Sequence, residues 1–311
     1  MTADSDLFGD VLEYPDAGAQ RRFAALVGIN HIKQRLVDEA SVLIDPHFLE
    51  QWSAKHYGGT LNLVRVVEER TPLIVLAGDV GTGKTELAES VGDPIARRIE
   101  LESLCLYPLS LSARGRGLVG EMTTLVTQAF DRVRSSLGQA RDSQGKVRNA
   151  AILLIDEADA VAQSRELDQM HHEDRAGVNA VIRGVDSLRR DRVPVLTIMC
   201  TNRPDALDPA VARRAAHIFT FARPDEAERI QVLSDALAGT GIEAADIAEA
   251  ARQLGPTEFR CCAATYSDLR QRFLPDLVLK AYGENVPISG DALISAAALF
   301  TPTRPFKSGD D

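Results

Sequence analysis

The sequence predicts an α/β domain built on a parallel sheet, followed by a small all-helical domain. Three observations carry this. Five short apolar runs recur with helical patterns between most of them. A glycine-rich loop ending in Gly-Lys-Thr follows the first run directly. After Pro224 no strand pattern remains. Solid apolar runs of this length suit strands buried on both faces, and strands alternating with helices indicate a parallel sheet.

Taken in order, residues 1–22 are polar and are expected to form a flexible tail. Residues 23–41 show helical spacing through Ile32, Leu36, Val37 and Ala40, and a second helical stretch follows Pro46. The first strand is expected at 73–77, and further strands at 104–111, 151–155, 193–200 and 217–221. Helices are expected at 86–99, 122–137 and 176–189. The polar stretch 139–149 reads as a surface loop, and the hinge between domains is expected at 222–225. Four helices then follow, at 226–237, 243–254, 267–282 and 290–299. The expected domains are therefore 23–222 and 223–300, with a tail at 301–311.

Composition sets limits. With 35 Lys+Arg against 45 Asp+Glu, the formal net charge is −10, which argues against a general nucleic-acid binder. Cys105 and Cys200 read as small buried hydrophobes, and the Cys261-Cys262 pair as a packing feature. None of the four has a CxxC or zinc spacing, a usage that fits a reducing cytoplasm. The acidic start MTADSDLFGD has no apolar signal region, and no run is long enough to span a membrane.

The chemistry begins at Gly78-Asp79-Val80-Gly81-Thr82-Gly83-Lys84-Thr85, a complete GxxxxGKT between a strand and a helical pattern. A chain of this length contains the pattern by accident about once in a hundred, and the context lowers that. The glycines let backbone N–H groups and a helix N-terminus wrap phosphates. Lys84 would reach the β- and γ-phosphates of ATP, and Thr85 would bind Mg²⁺. A second signal is Ala151-Ile152-Leu153-Leu154-Ile155-Asp156-Glu157, a buried strand delivering two acids at its carboxyl end. Asp156 would hold Mg²⁺ and Glu157 would orient and deprotonate the attacking water. Asp159 reads as a solvated helix residue. A third signal is the strand ending Thr201-Asn202, whose Asn202 could meet the γ-phosphate or the lytic water. Asn after a strand is otherwise a common turn residue. Arg213 and Arg214 follow; they are either a solvated helix end or an arginine finger for a neighbouring subunit's nucleotide.

This set of motifs with a helical domain behind it resembles the AAA+ ATPases over residues 23–300. The stretches SARGRGLVGEMTTLVTQAF, LLIDEADAV, GVNAVIRGVDSLRR and YSDLRQRFLPDLVLKAY resemble the pachytene-checkpoint-type members, which remodel HORMA-domain proteins. The resemblance implies a P-loop NTPase fold, with a parallel five-stranded sheet sandwiched by helices and a helical lid. It also implies a homo-hexamer using ATP and Mg²⁺. It implies Asn202 as first sensor, Arg214 as finger with Arg213 adjacent, and Val27 and Gly28 at the adenine. The family's lid arginine usually lies two residues after a Ser. Here Ser267 is followed at that spacing by Leu269, and the nearest basic residues are Arg270 and Arg272.

The loop 113–121 holds Arg116, Gly117, Leu118 and Val119; in a ring it would grip a protein substrate in the central pore, and otherwise it is an ordinary βα loop. The segment Met170–Arg175 sits where a second pore loop would lie. The short stretch before the core is similar to bacterial relatives found beside HORMA proteins and nucleotide cyclases in anti-phage operons of the CBASS type. The expected function is thus a cytoplasmic remodeller of a HORMA-domain protein, acting as a negative regulator. A nucleic-acid motor on the same fold is the alternative, supported only by scattered Arg114, Arg116, Arg189 and Arg190.

Overall fold

The computed structural model describes residues 7–110, 121–160, 172–258 and 260–305. Its described residues fall into two units, one of residues up to 25, 31–77 and 85–220, the other of 26–30, 78–84 and those from 221 on.

The first unit is built on a sheet of six strands, β1 (Leu12–Tyr14), β2 (Leu73–Gly78), β3 (Ser103–Pro108), β4 (Asn149–Ile155), β5 (Val195–Thr201) and β6 (His217–Phe221), in the order β1-β3-β4-β5-β2-β6. The pairs β3–β4, β4–β5 and β5–β2 are parallel. Burial follows position. Strands β2 and β5 are buried at every residue and β4 at all but its first, as central strands covered on both faces should be. The outer β3 and β6 alternate, leaving Cys105 half-buried while Cys200 in β5 is fully buried.

Every strand expected from the apolar runs is present. The sixth, β1, was not expected. It pairs antiparallel with β3, Leu12 opposite Leu106 and Tyr14 opposite Leu104. Helix α1 (Ala17–Ala25) follows it, so residues 12–22 are not a loose tail. Tyr14 is 2 % exposed and its ring lies over Gly92, where a Cβ would come within 2.3 Å of it. The single helix expected over 86–99 divides at Val91 into α5 (Lys84–Ser90) and α6 (Gly92–Ile99), where Pro94 has no N–H to bond back to the Ser90 carbonyl. The helical stretch expected from residue 23 likewise divides into α1 and α2 (Asn30–Ile44), separated by Gly28 at φ +79°. Helices α3 (His47–Tyr57) and α4 (Asn62–Glu68) precede β2. Helices α7 (Glu121–Ser136) and α8 (His172–Arg190) pack on one face of the sheet through Val126, Phe130, Val133, Val178, Val181 and Val185.

The second unit contains α10 (Glu226–Ala236), α11 (Ala244–Gln253), α12 (Leu274–Glu284) and α13 (Gly290–Leu299) around Leu233, Ala250, Leu254, Leu269, Phe273 and Leu293. The short helix α9 (Pro209–Ala212) belongs to the first unit. Asp225 and Glu228 form a reciprocal capping box at the start of α10. Before α12 the chain runs as a π-helix, Asp268–Phe273. Pro275, at the start of α12, has no N–H for an ordinary α-helical bond, and a wider turn accommodates it. The segment expected as a tail from 301 is tied down at Thr303, which bonds to Asp268.

Candidate active site

The carboxyl ends of the central strands carry the acids that the sequence singled out. Thr85, in the first turn of α5, donates its hydroxyl to Asp156 Oδ2 at 2.9 Å. Asp156 Oδ1 accepts the Glu157 N–H at 2.8 Å. Glu157 itself has φ +49°, a left-handed backbone that a residue with a Cβ rarely adopts. Such strain gathers where a side chain must be aimed. One helical turn beyond Thr85, Glu89 has its carboxyl pushed up, first by burial, then by Glu86, with Asp156 contributing. Glu86, Glu89 and Asp156 thus bring carboxylates together here. A hydroxyl and a carboxylate oxygen in contact inside such a cluster fit a hard divalent cation such as Mg²⁺.

The end of β5 is held by Asp159. Its carboxylate accepts the Thr201 hydroxyl, and its Oδ2 accepts the Asn202 N–H at 3.3 Å. Asp159 is therefore not a solvated helix residue: it lies half-buried in a short 3₁₀ turn and holds Thr201 and the Asn202 backbone. Among the described residues, the Asn202 side-chain amide has no bonded partner.

Arg213 and Arg214 follow helix α9, which Asp208 caps through the Ala210 N–H at 2.7 Å. Arg213 is exposed, with Nε on the Pro209 carbonyl at 3.3 Å. Arg214 is braced: Nε lies 3.2 and 3.1 Å from the two Asp186 oxygens, and Nη1 donates to the Ala210 carbonyl at 3.1 Å. Its Nη2 keeps no bonded partner among the described residues. Asp186 escaped the sequence reading as a functional residue, although it is the acid in the GVNAVIRGVDSLRR stretch.

In the second unit the loop 78–84 carries three glycines at positive φ, Gly78 at +153°, Gly81 at +74° and Gly83 at +95°. Gly78 has no room for a side chain, because a Cβ would sit 2.2 Å from the Phe221 carbonyl. Lys84 Nζ folds over its own loop, on the carbonyls of Gly78 at 3.0 Å and Asp79 at 2.8 Å. Thr82, 1 % exposed, donates to the Asp79 carbonyl at 2.8 Å, and the Val80 N–H donates to Asp79 Oδ1 at 2.8 Å. Asp79 Oδ2 in turn accepts Arg223 Nε at 2.7 Å. Arg223 is a loop-stabilising residue that nothing in its sequence context signalled.

Val27 packs on the helical core of this unit. Gly28 faces Glu228 and Tyr266; a Cβ there would lie 2.3 Å from an oxygen of each. The Tyr266 hydroxyl is pushed well above its usual range, by burial first and by Glu228 next. Leu269, at the spacing where a lid arginine was sought, is fully buried in the helical core, so that position cannot reach a nucleotide. Arg272 is occupied by Asp268 at 2.9 Å and lies over the Phe300 ring. Arg270 is exposed. The loop residues Arg116, Gly117, Leu118 and Val119 lie outside the described residues, as do the first two residues of the Met170–Arg175 segment; the rest of it begins α8.

A cleft of about 810 Å³ lies at the opposite, amino-terminal ends of the strands, lined by Arg70, Arg98, Arg189 and Arg192 among others, and holds none of these groups. Among the described residues no helix is long and apolar enough to cross a membrane.

The chain is similar to known proteins over nearly its whole length. The family described as "ATPase family associated with various cellular activities (AAA)" matches residues 74–223. CD-NTase-associated protein 6 of Escherichia coli (strain MS 115-1) is 46 % identical over 97 % of this chain and 96 % of its own. A chain in the structure of the E. coli MS115-1 HORMA:CdnC:Trip13 complex superposes with a TM-score of 0.91 at 44 % identity, covering 98 % of this chain and 99 % of that one. Rhizobiales Trip13 gives a TM-score of 0.74 at 41 % identity, over 96 % of this chain and 100 % of that one. The phosphate loop, the paired acids and this similarity agree: the chain belongs to the AAA family of ATPases, among the relatives of CD-NTase-associated protein 6.

Proposed function

We propose that the chain forms a ring, hydrolyses ATP and uses the cycle to remodel a HORMA-domain protein. By opening that partner it would silence a nucleotide cyclase and act as a negative regulator of CBASS-type anti-phage signalling. The observation that carries the partner assignment is the match across 98 % of the chain, at a TM-score of 0.91, to a chain from a HORMA:CdnC:Trip13 complex.

The chain's own residues support the chemistry. Backbone N–H groups of 78–84 and the Lys84 ammonium receive the phosphates of ATP. Thr85 and Asp156, already in contact, are the residues that would hold Mg²⁺, which when bound neutralises phosphate charge. Glu157 takes a proton from the attacking water, and Asn202, held from behind by Asp159, orients the water against the γ-phosphate. Arg214 of a neighbouring subunit supplies positive charge through Nη2, with Asp186 fixing its approach. Arg213 lies beside it, and Arg270 or Arg272 is the candidate lid cation. Arg116, Gly117, Leu118 and Val119 grip the substrate in the pore.

The test mixes the chain with the HORMA-domain protein and the cyclase of the HORMA:CdnC:Trip13 complex. With ATP and Mg²⁺, size-exclusion chromatography is expected to show loss of the HORMA–cyclase complex, and cyclase product falls with it. With Glu157→Gln the complex persists. A complex that survives the active chain and ATP contradicts the partner assignment.

A further inference from the structure

One turn, Thr265–Asp268, ties the phosphate loop to the C-terminal segment, and every tie lies within the helical unit. On the loop side the Ser267 N–H donates to the Gly81 carbonyl at 3.1 Å. A Cβ on Gly81 would lie 2.7 Å from Thr265 Oγ1 and 2.9 Å from Ser267 Cβ, so loop and turn touch without slack. Arg223 adds a second tie, joining Asp79 Oδ2 at 2.7 Å to the Ala263 carbonyl at 2.6 Å.

On the other side stands Asp268, 1 % exposed. Its carboxylate accepts the Thr265 N–H at 3.1 Å and Arg272 Nη1 at 2.9 Å. It also accepts the Thr303 N–H at 3.0 Å and the Thr303 hydroxyl at 2.7 Å. The Asp268 N–H donates back to Thr265 Oγ1 at 3.0 Å. A buried carboxylate with this many donors is a fixed point for the elements around it. The C-terminal residues are anchored at that point. Pro302 is buried, and on either side of it Thr301 and Thr303 also meet Arg272 at 3.4 Å.

We infer that Asp268 is a positioning residue for nucleotide binding, and that residues 301–305 are a strap holding Gly81 in its phosphate-accepting conformation through the 265–268 turn. The inference rests on the nucleotide site proposed above. Its consequence is reciprocal: a docked strap favours nucleotide, and nucleotide favours the docked strap. Any partner that draws the strap away lowers the affinity for ATP.

The experiment titrates the full-length chain with a fluorescent ATP analogue. Binding by the wild type checks the site itself; its absence would defeat the nucleotide assignment rather than the strap. Given binding, Thr303→Val is expected to raise Kd about fivefold, the loss of one or so net hydrogen bonds. Thr303→Ser, which keeps the hydroxyl, stays within about twofold. In turnover assays the Thr303→Val effect falls on KM and spares kcat. Ser289→Ala removes the cap of α13 without touching the turn, and lowers the melting temperature while leaving Kd unchanged. Wild-type Kd in Thr303→Val, or equal weakening by Ser289→Ala, overturns the inference. Should Thr303→Val fail to fold, amide exchange in the wild type decides: added nucleotide slows exchange at Thr303 if the strap is linked to the loop, and unchanged exchange refutes it.

Discussion

At the scale of single residues, each group proposed to act is held by a neighbour that aims it. Glu157 is held in a left-handed backbone by its neighbour's carboxylate, a conformation retained at a cost of about 1 kcal/mol or more. Asp159 and Asp186 stand behind Asn202 and Arg214. Glu157→Gln keeps the side chain's shape but removes the base. Turnover is expected to fall by about 10²–10⁴-fold while ATP binding stays at the wild-type level. Single-turnover hydrolysis and analogue binding measure the two separately, and undiminished turnover would remove Glu157 from its role. The residues proposed to act stand out in the sequence because phosphate chemistry demands GKT after one strand and paired acids after another. The aiming residues do not. Asp159 and Asp186 are acids on helical turns like many others, and only the fold reveals the Thr201 hydroxyl and the Arg214 guanidinium beside them.

Elements were legible where burial is uniform and illegible where a distant contact decides. The central strands β2, β4 and β5 are apolar throughout and could be read at once. The three-residue β1 carries no such run, and its place is set by pairing with β3 and by Tyr14 over Gly92, contacts far apart in the chain. Helix α10 shows the opposite case, because its start is written locally. Asp225 accepts the Glu228 N–H at 2.8 Å and the Glu228 carboxylate accepts the Asp225 N–H at 2.9 Å. Asp225→Ala is expected to lower the stability of the chain by about 1 kcal/mol in urea unfolding, without changing the dependence on denaturant. No shift in midpoint would show that the cap contributes nothing.

For the whole molecule, the account depends on a neighbour. In the proposed cycle a chain supplies the loop, the acids and Asn202, and Arg214 of the next subunit would supply the finger. Motif order and the resemblance to pachytene-checkpoint-type members pointed to a protein-directed AAA motor, and similarity to CD-NTase-associated protein 6 over nearly the full chain agrees with that reading. The most direct measurement mixes two inactive variants, Glu157→Gln and Arg214→Ala. The first keeps a finger but has no base; the second keeps a base but has no finger. Mixed assemblies place an intact finger against an intact base at some interfaces. ATP turnover of the mixture is therefore predicted to rise well above the sum of the two variants measured alone. A mixture that assembles yet shows only that sum would contradict a site shared between subunits.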